Sequence, residues 1–179
     1  MSAGVDPSST QSTAPGSPLY AEVIELLYRE ADALDNYRFD DWLGMLAPEI
    51  EYVMPVRTTQ FLVDGLGFNG EATFFTDNLE SLTTRVRRLE TEFAWAETPP
   101  SRTRHFISNV LVEPADEEQF SVRSSFMITR TRQDKGYQLF TGERQDRLRR
   151  SDDGRLLFAR RVILPDQTVI TATNLSVLF

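Results

Sequence analysis

Apolar side chains in the first part of the chain recur at helical spacing. Leu19, Val23, Leu26, Leu27, Ala31 and Leu34 form one stripe, and Glu22, Glu25, Arg29 and Glu30 fall off it. Ser17 followed by Pro18 reads as an N-cap and first helical residue, so this amphipathic helix is expected to begin at residue 18. A shorter helix is expected over 38–46, burying Phe39, Trp42, Leu43 and Leu46 and ended by Pro48. The segment 50–56, IEYVMPV, has strand composition, with Pro55 confining it to a sheet edge or shortening it. Residues 57–76 read as a long glycine-containing loop with a short helical piece. Leu79, Leu82, Val86 and Leu89 then mark a third helix. Asp77 near its start and Arg85, Arg87 and Arg88 near its end complement the helix dipole.

From about residue 103 the period changes to that of strands. HFISNVLVEP runs to Pro114, and in the next run Phe120, Val122, Ser124, Phe126 and Ile128 share one face. Turns are expected at Asp134-Lys135-Gly136 and at Ser151–Gly154, and consecutive strands joined this tightly must pair antiparallel. Gly142, inside a strand, suggests a bulge or bend. Helices first and a curved antiparallel sheet behind them make an α+β domain, with the helices packed in the hollow of a cone. Residues 1–17 are small, polar and proline-bearing and read as a flexible tail. Residues 18–179 then form a single domain.

Composition changes the picture mainly by exclusion. The chain of 179 residues has no cysteine and one histidine, His105. Zinc sites, iron–sulfur clusters and facial-triad iron all need more Cys or His ligands than one such chain supplies. Any metal chemistry therefore belongs to another polypeptide. A net charge of −8 opposes nucleic-acid binding. With no apolar run long enough to cross a bilayer and no leader pattern, the reading is cytoplasmic, with no membrane. Lys135 is the one lysine among the basic residues. Such arginine richness reflects either arginine-favouring composition or polar subunit interfaces.

Candidate sites are few. Gly65-Leu66-Gly67-Phe68-Asn69-Gly70 matches G-x-G-x-x-G, with Glu90 downstream, but the parallel strand a dinucleotide site needs is not evident, and a glycine-rich loop is the simpler reading. His105 is a candidate general base, with Asp32, Asp35 or Tyr52 in reach of the same cavity. The plainer role for it is a hydrogen bond at a strand start or a subunit contact. A Ser-His-Asp hydrolase lacks its G-x-S-x-G turn. Asp32, Asp35, Asp40 and Asp41 lack calcium-loop spacing and read as solvated helix-end charge. Trp42 and Trp95 read as core, although Trp95 close to Pro99 and Pro100 also suits a contact surface.

Several stretches together carry a resemblance: EADALDNYRFDDWLGML at 30–46, YVMPVR at 52–57, LTTRVRRLET at 82–91, WAETPPSRTRHFISNV at 95–110, GERQDRLRR at 142–150 and ARRVILPDQTVITATNLSVLF at 159–179. In these the chain resembles the small (β) subunit of aromatic-ring-hydroxylating dioxygenases of the biphenyl, benzene and cumene type. Pro165 departs from the aliphatic residue expected there. The resemblance implies a cone like that of nuclear transport factor 2 and a hexamer of three large and three small subunits (α3β3). It implies that a Rieske [2Fe-2S] cluster and a mononuclear non-haem iron lie in the large subunit, fed from NADH through a reductase and often a ferredoxin. The small subunit of that family supports the assembly and in some members influences substrate range. The expected role is thus a non-catalytic structural subunit of a dioxygenase that cis-dihydroxylates aromatic hydrocarbons. The alternative is a stand-alone isomerase, dehydratase or hydrolase using His105 in the cone. The interface is expected at Trp95, Pro99, Arg102, Arg104 and His105, with Asn174 to Phe179 as a docking segment.

Overall fold

In a computed structural model of the chain, residues 13–58, 67–68, 72–90, 101–116, 119–131, 136–168 and 178–179 are described. Ser17 and Pro18 start helix α1 (Pro18–Asp35) as expected, the Ser17 hydroxyl accepting from the Tyr20 N–H at 3.2 Å. A short helix α2 (Phe39–Leu43) follows, then strand β1 (Leu46–Pro55), strand β2 (Thr73–Asp77) and helix α3 (Leu79–Glu90). Asn78 and Ser81 cap α3 reciprocally: the Ser81 N–H donates to Asn78 Oδ1 and the Asn78 N–H to Ser81 Oγ, both at 2.9 Å. Four long strands complete the fold, β3 (Arg102–Asp116), β4 (Gln119–Thr131), β5 (Tyr137–Arg150) and β6 (Leu156–Pro165).

The six strands make one curved sheet in the order β2-β1-β6-β5-β4-β3. β3 through β6 pair antiparallel in sequence, as expected from their turns. The Ser151–Gly154 turn joins β5 to β6, with Gly154 at φ +84°. Alternation in β4 is borne out: Val122, Ser124, Phe126 and Ile128 are buried. Val23, Leu27 and Leu34 of α1 and Leu82 and Val86 of α3 pack into the hollow of the sheet.

Several local expectations are corrected. The second helix stops at Leu43, because Gly44 caps it and the Met45 carbonyl already accepts from the Phe158 N–H at 2.9 Å. Pro48 therefore lies inside β1 instead of ending a helix. β1 is interior, antiparallel to β2 and parallel to β6, so the sheet is not purely antiparallel. Pro55 is tolerated because it is the last residue of β1, at a register shift. Part of the supposed 57–76 loop is β2, whose Thr73–Asp77 side chains are at most half-buried and so lack a clear alternating signal. Gly142 is not at a bulge; the β5–β6 irregularity lies between Arg147 and Leu148. A Cβ on Gly142 would sit 2.3 Å from the Leu164 carbonyl oxygen and 2.9 Å from the Phe126 ring, so the glycine serves close approach. Gly142→Ala is expected to cost about 1–3 kcal/mol of unfolding free energy, measured by denaturant titration.

The expected turn residues Asp134 and Lys135 and residues 1–12 of the expected tail lie outside the described residues. Thr13 is described, its N–H donating to the Val112 carbonyl at 2.7 Å.

Candidate functional site

The hollow of the cone holds a cluster of charges that the sequence reading missed. Alternation on β5 turns Phe140, Gly142, Arg144, Asp146 and Leu148 inward. Asp146 stands directly across from Arg161 of β6. Glu30, three residues after Leu27 and four before Leu34, lies within the buried face of α1 and not off it. Its side chain is 1 % exposed. Arg161 donates from Nε to Asp146 Oδ1 (2.7 Å), from Nη2 to Asp146 Oδ2 (2.9 Å) and Glu30 Oε2 (3.0 Å), and from Nη1 to Glu30 Oε1 (2.6 Å) and the Phe179 main-chain oxygen (2.8 Å). Every N–H of that guanidinium is engaged. Arg144 Nη1 donates to Glu30 Oε2 at 3.1 Å, and the Trp42 indole N–H donates to Glu30 Oε1 at 3.1 Å.

Burial alone would push the Glu30 carboxyl up, but Arg161, Arg144 and the hydrogen bonds from Arg161 and Trp42 outweigh it and hold Glu30 below the ordinary range. Burial also opposes the charge on Arg161, and Asp146 and Glu30 overcome it, holding Arg161 well above its ordinary value. These groups are locked in complementary charge. A general acid or base needs a proton it can release near neutral pH, which this arrangement denies them.

Residues 178–179 close the hollow. The Phe179 ring is fully buried, edge-on to Phe126 and Phe140 with centroids 5.7 Å away in each case. The Tyr52 hydroxyl donates to the Phe179 main-chain oxygen at 2.5 Å and accepts from the Phe179 N–H at 2.7 Å. His105, on β3, faces the same end of the chain. Its Nε2 lies 3.0 Å from the Leu178 carbonyl oxygen and its Nδ1 2.6 Å from Asp35 Oδ1, while its backbone N–H donates to Asp35 Oδ2 at 3.0 Å. A carbonyl only accepts, so Nε2 is the donor to Leu178, and Nδ1 lies against the Asp35 carboxylate.

The sequence candidates are thus sorted by geometry. Asp35 reaches His105, and its side chain is 4 % exposed. Asp32 and Asp41 pair with Arg38, and Asp40 with Arg87, all on the surface. Tyr52 serves Phe179 and makes no described bond to His105. Phe179, expected in the docking segment, has its ring buried in the core of its own chain. Arg102 and Arg104 are exposed on the outer side of β3. Trp95, Pro99, Pro100 and Asn174 lie outside the described residues, as do Gly65 and Gly70 of the glycine-rich loop. Pro165 is accommodated at the last position of β6, opposite Gly142.

Burial resists ionisation of Asp35, but its hydrogen bonds from His105 and the nearby Arg104 outweigh it, and the carboxyl sits below its ordinary range. A depressed folded-state value adds stability above about pH 4, where the unfolded carboxyl ionises, and loses it as pH falls through the folded value. Asp35→Asn is therefore expected to flatten the fall of stability below about pH 4, read from denaturant unfolding at several pH values.

Among the described residues no group of three or more His, Asp or Glu is arranged to hold a metal ion. A Rieske cluster takes two cysteines and two histidines, which a chain with no cysteine and one histidine cannot supply.

Residues 29–172 match a family described as ring hydroxylating beta subunit. A benzene 1,2-dioxygenase subunit beta from Pseudomonas putida is 38% identical over 166 residues, covering 90% of this chain and 89% of the relative. A biphenyl 2,3-dioxygenase subunit beta from Rhodococcus jostii (strain RHA1) is 37% identical over 172 residues, covering 93% and 92%. Among solved structures, a chain of naphthalene 1,2-dioxygenase with indole bound superposes with a TM-score of 0.82 at 23% identity, covering 93% of this chain and 89% of that one. The likeness in structure is that of the nuclear transport factor 2 cone.

Proposed function

Because this chain belongs to the family of ring-hydroxylating dioxygenase β subunits, we propose that it is the non-catalytic, structural small subunit of an enzyme that cis-dihydroxylates aromatic hydrocarbons. Its partner is the large α subunit, in an α3β3 hexamer. The Rieske [2Fe-2S] cluster and the mononuclear non-haem iron belong to that partner, with NADH-derived electrons arriving through a reductase and a ferredoxin. The complex works in the cytoplasm; among the described residues no helix is long and apolar enough to cross a membrane.

The observation that carries the structural role is the state of the hollow. A cone-fold enzyme needs an inward-facing acid or base and space beside it for a substrate. Here Phe179 and the Glu30–Arg144–Arg161–Asp146 cluster occupy the interior. His105, the one histidine, has both ring nitrogens engaged by Asp35 and Leu178. Its work is to hold the chain end against α1 and β3.

Turnover of an arene by the purified complex tests this. Per assembled complex, His105→Gln is expected to retain activity within about threefold of wild type, because losing a general base costs about 10²–10⁴-fold. A loss on that scale in fully assembled complex returns the cone to candidacy as a reaction site.

A further inference from the structure

The helices cover one side of the sheet, and the other side carries a compact apolar and cationic patch. Register places three rows across β3, β4 and β5 on that outer side: Arg102–Thr131–Tyr137, Arg104–Thr129–Leu139 and Phe106–Met127–Thr141. Phe106 is 49%, Met127 39%, Leu139 43% and Tyr137 72% exposed in the isolated chain. Large apolar side chains adjacent on three strands form a contiguous patch of the kind that marks a binding surface, and aromatic, Met and Arg side chains are those enriched in such surfaces.

Charge narrows the occupant. The chain carries −8 overall, yet these rows hold two arginines and no carboxylate. Arg102 has no acidic partner among the described residues, and Arg104 reaches only Asp35, at 3.5 Å, with its side chain 63% exposed. A second copy pairing face to face would set the same cationic patch against itself, and like charges disfavour that contact. The complement is an apolar surface edged with carboxylates on a different protein.

We propose that the outer face of β3–β5, centred on Phe106, Met127 and Leu139 and flanked by Arg102 and Arg104, docks the large dioxygenase subunit through an apolar, carboxylate-edged surface. This rests on the reading of the chain as a dioxygenase β subunit. The patch supplies apolar anchors at its centre and arginines at its edge, where they steer encounter and fix register.

The test is co-purification of tagged chain with the co-expressed large subunit, comparing wild type, Arg102→Glu/Met127→Glu, Leu139→Glu and Tyr28→Glu. Tyr28 is a 57% exposed aromatic on α1, away from the sheet's outer face. Unfolding midpoints establish that each variant is folded, and Leu139→Glu carries the test where the double variant fails to fold. The expected result is at least about tenfold less large subunit with either face variant and wild-type recovery with Tyr28→Glu, since one buried unpaired charge costs several kcal/mol. Wild-type recovery with folded face variants overturns the docking face. Face variants that lose self-association by light scattering yet keep the large subunit overturn it too, assigning the patch to a second copy. Failure of the wild-type chain itself to retain a large subunit removes the β-subunit role on which the proposal rests, a result distinct from both.

Discussion

Glu30→Ala is expected to lower the unfolding free energy by about 3–5 kcal/mol, which would leave the isolated chain barely folded. The carboxylate faces Arg161 through two hydrogen bonds and Arg144 and Trp42 through one each, in a part of the core closed to water. Removing it leaves Asp146 as the remaining acidic side chain bonded to this arginine pair. The guanidinium of Arg144 suffers most. Among the described residues its Nη2 has no hydrogen-bond partner, and its Nη1 bond to Glu30 is its one ion pair. Burial and the neighbouring charge on Arg161 already lower its hold on its proton. Equilibrium denaturation measures the loss. The double variant Glu30→Leu/Arg144→Met removes one charge of each sign while keeping the Arg161–Asp146 pair, and it is expected to recover at least about half of the deficit. A double variant as unstable as the sum of its single variants would show that packing, not charge pairing, sets the cost.

Phe179→Ala has an effect of similar size, about 3–5 kcal/mol, because a fully buried aromatic ring between Phe126 and Phe140 is replaced by a cavity. The same variant decides between two roles for the chain end. A ring that docked on a partner would be dispensable to the isolated subunit, and its loss would change stability by about 0.5 kcal/mol or less. Thermal unfolding of the isolated chain distinguishes these outcomes without any partner present.

What the sequence made legible follows from periodicity. Ser17-Pro18, the β4 alternation and the Ser151–Gly154 turn are local signals, and each lies where it was expected, while the α1 stripe holds at Val23, Leu27 and Leu34 but misses Glu30. Pro55 ends β1, one of the two outcomes expected of it, but the interior position of β1 was illegible, because the parallel contact with β6 joins residues far apart in sequence. The charged core was partly visible. Arg144 and Asp146 alternate in step with Phe140 and Leu148, and Glu30 keeps helical spacing with Leu27 and Leu34. Reading charge as surface hid that signal, since carboxylates and guanidiniums are seldom fully buried unless paired, and the pairing joins residues of three elements. His105 was legible as a structural hydrogen-bonding residue, while its partner Leu178 was not, since a main-chain carbonyl leaves no mark in sequence.

The resemblance carried the family, and composition carried the proposed division of labour, since this chain lacks the two cysteines and two histidines of a Rieske cluster. Native mass spectrometry of this chain recovered from its own host, with a visible absorption spectrum of the same sample, tests that division most directly. The expected result is a stoichiometric complex with a larger, red-brown iron–sulfur partner and no iron retained by this chain once separated. A colourless homo-oligomer that turns over a substrate without that partner would contradict it.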